Sequence, residues 1–218
     1  MLDLGVGSGR TAYTFAALAR SYVGLDYSPR MIELARELIA PEDSVELAVG
    51  DARQLQLGDR RFDLVLFSYN GIDSVSHEDR LRILDEVRRV VEPGGHFFFS
   101  SHSLRWLPFR PAATPPRRGD LLRSTYRSAQ SVRRALRLKR LNRSLDMEGA
   151  RARGWTLTLD PAHDFNIVYY YVDPEQQLEQ LEAAGFRPLS ILDARGREVD
   201  TQTVPTDDCW LYYLCSAA

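Results

Sequence analysis

The sequence is poor in cysteine, with two in 218 residues, and it contains no apolar run near the roughly 18 residues that a membrane-spanning helix needs. Its longest candidates, Phe62–Phe67 and Phe97–Phe99, have the length of strands. Cys209 and Cys215 fall on one predicted strand, roughly 20 Å apart at about 3.3 Å per residue. They cannot bridge each other, and with no histidine nearby they form no metal site. The first residues run straight into Asp3 and a glycine cluster, without the basic and apolar regions of a secretory leader. The expectation is a reduced, cytoplasmic, single-domain protein whose core is large enough to need neither disulfide nor metal.

What is present is unevenly spread. A composition of 44% apolar and 27% charged residues is that of an ordinary globular protein, and the formal net charge is only −2. Between Arg105 and Arg153, however, stand 14 basic residues, 13 of them arginine, against three acids, Asp120, Asp146 and Glu148. That segment carries +11 and the rest of the chain −13. An acidic scaffold therefore bears one strongly basic insert, which says more about partners than the total does.

Residues 1–100 alternate short apolar runs with helical spacing. Strands are predicted at Met1–Leu4, Tyr22–Leu25, Val45–Val49, Phe62–Phe67 and His96–Ser101, and helices at Thr11–Arg20, after Pro29, and over His77–Val91. Such alternation implies βαβ units and a parallel sheet covered on both faces. After Ser103 the pattern breaks. Pro108–Arg118 reads as a connector, and Asp120–Leu145, with Leu122, Tyr126, Ala129, Val132 and Leu136 at spacings of three and four, as an amphipathic cationic helix. Trp155–Leu159 and Ile167–Val172 are strand-like, a helix runs from Asp173-Pro174 to Ala184, and Leu189–Asp193 and Trp210–Cys215 close the chain as strands.

The decisive segment is Asp3-Leu4-Gly5-Val6-Gly7-Ser8-Gly9-Arg10, between a predicted strand and helix. Alternate glycines let the backbone turn sharply and let a ligand touch main-chain atoms. A dinucleotide fold wants Gly-x-Gly-x-x-Gly, whereas here Gly9 comes one position early and Arg10 fills the third slot, which demotes a pyrophosphate ligand and a nicotinamide-dependent oxidoreductase. The segment resembles the acidic-x-Gly-x-Gly-x-Gly loop of class I S-adenosylmethionine-dependent methyltransferases. Asp26 ends the second strand in Val23-Gly24-Leu25-Asp26, Asp51 follows in Val49-Gly50-Asp51-Ala52, Phe62-Asp63-Leu64-Val65 leads the fourth strand and Glu92-Pro93-Gly94-Gly95 precedes the fifth, all as in that family. The resemblance implies a Rossmann-like, doubly wound, mostly parallel seven-stranded α/β sheet with a closing antiparallel strand and a helical insert. It also implies S-adenosyl-L-methionine as cofactor, held by Asp3, Gly5, Gly7, Gly9, Asp26, Tyr27, Met31, Asp51, Ala52, Ser68 and Tyr69. Asp26 would take the ribose hydroxyls, Asp51 the adenine amino group, and Asp3 the cationic end. A carboxylate that accepts two hydrogen bonds suits a ribose diol on chemical grounds alone, although Asp26 and Asp51 also suit the role of capping strand-to-helix turns. Residues 1–103 are then the cofactor-binding half, 104–160 the basic insert serving as lid or substrate element, and 161–218 the completion of the same domain. The family has tens of residues ahead of its glycine loop, and here two precede Asp3, so the expectation is either a chain shorter than the working enzyme or a minimal form of it.

Substrate residues in open α/β sheets lie beyond the carboxyl ends of the strands. The Asp/Asn-Pro-Pro-aromatic signature of methyltransferases acting on nucleobase amines is absent after the fourth strand, which ends Ser68-Tyr69-Asn70-Gly71-Ile72-Asp73. Asn70-Gly71 taken alone is a tight turn. Histidine, which titrates near neutral pH, suits removal of a proton from a hydroxyl or ammonium. The candidates are His102, after the fifth strand, and His163, beside Asp164; His77 reads as a helix-start capping residue and His96 as structural. Positioning alone also suffices for many transfers from a sulfonium. Alternation makes Tyr170 face away from Tyr169 and Tyr171. The expected reaction is methyl transfer to a small-molecule or glycan acceptor, with the insert Arg105–Arg153 as a lid for an anionic substrate, its arginines suited to forked contacts with phosphate or carboxylate. Alternatives are an anionic membrane surface or lipid-linked substrate, RNA, or a pseudo-enzyme acting through the insert.

Overall fold

Strands followed by helices must return to the sheet by parallel crossovers, and the computed structural model, which describes residues 1–39, 44–107, 136–160 and 165–218, has that form. Strands β1 (Leu2–Leu4), β2 (Tyr22–Asp26), β3 (Val45–Val49), β4 (Phe62–Phe67) and β5 (Val91–Ser103) are parallel. They combine with β8 (Phe186–Leu192) and the antiparallel β10 (Trp210–Ala217) in the order β3-β2-β1-β4-β5-β10-β8. These are the seven strands expected, with the closing strand antiparallel to both neighbours. Among the described residues the sheet nevertheless has ten strands. The two-residue β9 (Glu198–Val199) pairs with the outer edge of β8, and β6 (Trp155–Leu159) with β7 (Val168–Val172) forms a hairpin.

That hairpin joins the sheet through β5. The middle of β5 lies against β4, ending at the Phe67↔Phe99 pair, and its last residues pass beyond β4. There His102 and Ser103 pair with Tyr171 and Val172 of β7, while β10 continues along the other edge. A strand of 13 residues thus carries His102 out of the parallel core and against the hairpin, where it is buried.

Helix α1 (Ala12–Phe15) continues only as a 3-10 turn, Ala16–Leu18, instead of the helix expected over Thr11–Arg20. Ala12 is its only buried residue, and Tyr13 and Leu18 stay exposed, so too little apolar face is covered to hold a longer helix. Helix α2 (Pro29–Leu38) starts at an N-cap, Ser28, with Pro29 in the first turn, and buries Ile32 and Ala35. Helix α3 (His77–Val90) is capped by Ser76, which accepts from the Asp79 amide at 3.1 Å. It buries Ile83, Leu84, Val87 and Val90. The cap is thus Ser76 and not His77. Of the helix expected over 120–145, residues 136–144 are described and are helical (α4), and 120–135 lie outside the described residues. Then follow α5 (Met147–Arg153) and α6 (Pro174–Ala183), the latter capped by Asp173 and closed by Gly185 at φ 82°.

The main core lies where α3 and α6 cover the sheet, around Val65, Phe97, Phe99, Leu181, Leu211 and Cys215. Phe97 and Phe99 stack with ring centroids 4.6 Å apart. Each such buried ring contributes about 2–3 kcal/mol, which anchors β5 and hence the residues at its end. Among the described residues, no helix is long and apolar enough to cross a membrane.

Candidate functional site

The carboxyl ends of β1, β2, β4 and β5 converge on one edge of the sheet, and the glycine loop sits at its centre. The Val6 amide donates to Leu25 O and the Gly9 amide to Val6 O, each at 3.0 Å, so the loop folds back over the end of β2. Gly9 has φ 93°, and a β-carbon there would lie 2.4 Å from Ile39 Cδ1; only glycine fits. At Gly7, with φ 58°, a β-carbon would meet nothing within 4 Å, so this part of the loop presents bare backbone to open space.

Asp3 lies beneath the loop, fully buried. Its Oδ2 accepts from the hydroxyls of Thr11 and Tyr22, while Oδ1 is buried without a partner. Burial raises the carboxyl's pKa, and the hydroxyl bonds and the charge of Arg10 draw it back. Asp26 accepts from the Gly7 amide through Oδ2 and from the Ser28 amide through Oδ1, both at 2.9 Å. It therefore ties the loop to the end of β2, and each oxygen keeps a second lone pair for a ligand. Asp51 sits farther out and forms a forked ion pair with Arg53, Oδ2 accepting from Nη2 at 2.7 Å, which holds its carboxyl below the usual range. Ala52 is half-buried beside it, and Tyr27 and Met31 are exposed at the start of α2.

Beyond β4, the half-buried Ser68 leads into Tyr69 and Asn70, consecutive left-handed residues at φ 58° and 57°. Such a conformation costs a side-chain-bearing residue roughly 1 kcal/mol or more. Tyr69 is exposed and lies under Arg10, whose guanidinium carbon is 3.6 Å from the ring centroid. Asn70 turns the other way, is buried, and takes support from Ser100 Oγ, which accepts from its amide at 2.9 Å. Its side-chain nitrogen lies 3.4 Å from His102 Nε2.

His102 stands where the sequence places it, and the structure adds a partner that the sequence does not advertise. Asp73, wholly buried in the 3-10 turn Gly71–Asp73, accepts from His102 Nδ1 at 2.8 Å and from the His102 amide at 2.7 Å through one oxygen. The other oxygen accepts from Ser101 Oγ at 2.7 Å and from the Arg80 guanidinium. A carboxylate only accepts, so Nδ1 carries the hydrogen and Nε2 presents its lone pair toward the Asn70 side-chain nitrogen. Arg80 is itself fully buried, donating also to Ser101, Gln177, Gln180 and the carbonyl of Ile72, with its guanidinium carbon 4.6 Å from the Tyr170 ring centroid. No sequence signal marks Arg80, because in α3 it is one of several charged residues between Glu78 and Arg89.

The tyrosines divide as their alternation requires. Tyr169 and Tyr171 approach His102, with ring centroids at 4.8 and 5.1 Å, and Tyr171 stacks with Trp106. Tyr170 points to the opposite side. Its hydroxyl accepts from Gln180 at 3.0 Å and donates to His77 Nδ1 at 2.7 Å, and its burial pushes the phenol up to about 12. His77 stacks on Trp155 at 4.2 Å and thereby ties α3 to the hairpin. His163 lies outside the described residues.

Residues 1–95 match a family described as a methyltransferase domain. Over 108 residues, half of this chain, the sequence is 36% identical to the demethylmenaquinone methyltransferase of Clavibacter sepedonicus, of which the match covers 43%. The chain thus spans less than half the length of that relative. Two solved structures share the fold across nearly all of the chain. An S-adenosylmethionine-dependent methyltransferase from Mesorhizobium loti has a TM-score of 0.65 and 19% identity, with 99% of this chain and 89% of that one covered. The CcbJ methyltransferase from Streptomyces caelestis has a TM-score of 0.64 and 19% identity, with 100% and 83% covered. From the glycine loop through the Pro-Gly-Gly turn before β5, sequence, family match and fold agree: residues 1–95 match a methyltransferase domain, and the chain has the fold of S-adenosylmethionine-dependent methyltransferases.

Proposed function

We propose that this chain transfers a methyl group from S-adenosylmethionine to the oxygen of a small-molecule acceptor, with His102 as the base. The observation that carries this reading is the Asp73–His102 pair at the end of β5, joined through Asn70 and Tyr69 to the glycine loop. The residues present fit the cofactor: bare backbone at Gly7, a spare lone pair on each Asp26 oxygen, and the buried, unpartnered Oδ1 of Asp3, which suits a cation. Asp3, Gly5, Gly7, Gly9 and Asp26 would hold it, with Tyr27, Met31, Asp51, Ala52, Ser68 and Tyr69 around them. When bound, the cofactor supplies a methyl group activated by a sulfonium leaving group. Asp73 holds the imidazole with Nδ1 protonated, Nε2 takes the acceptor's proton as its oxygen is methylated, and the proton then passes to solvent. Tyr169, half-buried beside His102, offers an aromatic face that suits a planar acceptor, backed by the fully buried Tyr171 packed with Trp106. The demethylmenaquinone relative, whose name denotes a small-molecule acceptor, supports the small-molecule part of this reading.

A second reading concerns recruitment. Lys139, Arg140 and Arg143 lie exposed on α4 with no ion-pair partner among the described residues, which suits an anionic acceptor, a glycan precursor or an anionic surface.

The test is release of demethylated cofactor when the chain meets a panel of phenols, quinols, sugars and amines. Turnover with hydroxyl acceptors, and a fall of about 10²–10⁴-fold in His102→Ala, are expected. Turnover with amines alone, unaffected by His102→Ala, would overturn the oxygen assignment.

A further inference from the structure

Every arginine on α2 and α3 has a carboxylate or carbonyl partner, as Arg30 has in Glu33, Arg36 in Leu47 O and Arg89 in Glu86. Helix α4 departs from that pattern. At about 100° per residue, Leu136, Lys139, Arg140 and Arg143 share one face, and Leu138 and Leu141 lie on the opposite one. The leucine face is turned inward, with Leu138 buried and Leu141 half-buried. The other face is exposed, and Lys139, Arg140 and Arg143 have no hydrogen-bond or ion-pair partner among the described residues. Like charges one turn apart repel, and residues 136–144 contain no acid to offset them. The helix C-terminus accounts for Arg143, in its last turn, but not for Lys139 and Arg140.

Exposed aliphatic surface lies beside these cations. Arg137 donates to Phe165 O at 3.3 Å, with its guanidinium carbon 4.8 Å from the Phe165 ring centroid, which sets α4 against the start of β7. Ile167 and Val168 follow there, 39% and 46% exposed, and Leu136, next to Arg137, is 61% exposed. Aliphatic side chains held in water beside unpaired cations match the boundary of an anionic bilayer, where acyl chains lie just beneath charged headgroups. A single-stranded nucleic acid calls instead for exposed rings on which bases stack, and this patch has none among the described residues.

Building on the recruitment reading above, we propose that the outer face of α4 and the start of β7 dock this chain on an anionic lipid bilayer. Lys139, Arg140 and Arg143 meet the headgroups, and Leu136, Ile167 and Val168 enter the boundary beneath them. The docked surface then adjoins the proposed base, because Tyr169, the residue after Val168, has its ring centroid 4.8 Å from that of His102.

Co-sedimentation of the full chain with vesicles tests this. Phosphatidylcholine vesicles with about 30% phosphatidylglycerol should bind the chain, and phosphatidylcholine alone far less, the difference shrinking as salt rises. The triple variant Lys139→Gln, Arg140→Gln, Arg143→Gln should weaken anionic-vesicle binding at least about tenfold, since each cation near the surface contributes. Leu136→Ser with Ile167→Ser should weaken it by about tenfold at low and high salt alike, because apolar insertion is not screened. Glutamine keeps the helix propensity of α4, so circular dichroism of the triple variant should match that of the parent. Anionic-vesicle binding unchanged in both variants would overturn the assignment of this surface. Absence of anionic-vesicle binding by the parent would overturn the lipid inference. If the parent then still bound heparin or a single-stranded RNA, and the triple variant did not, the recruitment reading would stand; with neither bound, it would fall as well.

Discussion

Asp73→Asn separates a working acid–base pair from a merely well-packed one, since the side chain keeps its size and loses only charge and acceptors. Asp73 receives four hydrogen bonds: Oδ1 from Arg80 and Ser101, Oδ2 from the backbone and ring nitrogens of His102. That is the full capacity of a carboxylate. An asparagine can serve only one of the two pairs. With its NH₂ toward Arg80, donor meets donor and a fully buried guanidinium loses its carboxylate, a change that costs about 3–5 kcal/mol in comparable buried pairs. Arg80 keeps its bonds to Gln177, Gln180, Ser101 and Ile72 O, which places the expected loss at the lower end, about 3 kcal/mol. With the NH₂ toward His102, the backbone amide loses its acceptor, at about 1–3 kcal/mol. The ring nitrogen Nδ1 must then accept, so the hydrogen moves to Nε2 and the base is lost. Urea denaturation should show a lower midpoint with unchanged slope. Methyl transfer at saturating cofactor should fall about 10²–10⁴-fold, with S-adenosylhomocysteine affinity preserved because Asp73 does not touch the loop. Stability within about 0.5 kcal/mol of the parent together with near-normal turnover would refute both the ionised Asp73–Arg80 pair and the assigned tautomer of His102.

Other substitutions distinguish parts of the loop. Gly7→Ala adds a methyl group into open space at φ 58°, so it should cost only about 1 kcal/mol of stability yet weaken cofactor binding about tenfold in calorimetry, since the methyl projects from the face that the cofactor would approach. Gly9→Ala should do the reverse: its β-carbon would press on Ile39 at 2.4 Å with φ 93°, lowering stability by about 2–4 kcal/mol in a thermal melt. His77 predicts a pH effect away from the site. Burial lowers its pKa below the ordinary 6.5, so the unfolded chain takes up the proton first. Its contribution to stability is complete above that value and declines as pH falls below it. Amides of the β6–β7 hairpin should therefore exchange faster relative to the rest of the sheet at about pH 5.5 than at about pH 7.5, after correction for intrinsic rates, and His77→Gln should remove the difference.

Much of this was readable in the sequence because it depends on neighbours in the chain. The glycine loop, Asp26 at the end of β2 and the Pro-Gly-Gly turn before β5 are local signals, and they were enough to indicate a mostly parallel sheet with an antiparallel closing strand. The division of Tyr169 and Tyr171 from Tyr170 followed from the two-residue period of a strand. What stayed hidden depends on distance. Arg80 carries the charge pattern of a solvent-facing helix position and is buried because Asp73, Ser101, Gln177 and Gln180 meet around it from separate segments. Asp73 reads as part of a polar turn until His102 is seen beside it. His77 looked like a cap by its place at the start of α3, and its aromatic stack with Trp155 belongs to tertiary packing. The early end of α1 follows from how little apolar surface lies opposite Tyr13 and Leu18, which the pattern of Thr11–Arg20 does not reveal.

The attachment of β7 to β5 is short: two paired positions, one of them His102 itself. The hairpin is therefore joined to the parallel sheet at the residue proposed as the base. The rest of its outer strand and the basic helix beyond it can be rewritten without disturbing the β1–β5 scaffold, as long as those two pairings, the Trp155–His77 stack and the contacts of Tyr170 with Gln180 and Arg80 survive. A chimera that exchanges residues 136–154, 156–160 and 165–169 for those of a relative, keeping Trp155 and Tyr170, should inherit the donor's acceptor preference and keep the host's cofactor affinity, with the seam lying against the imidazole.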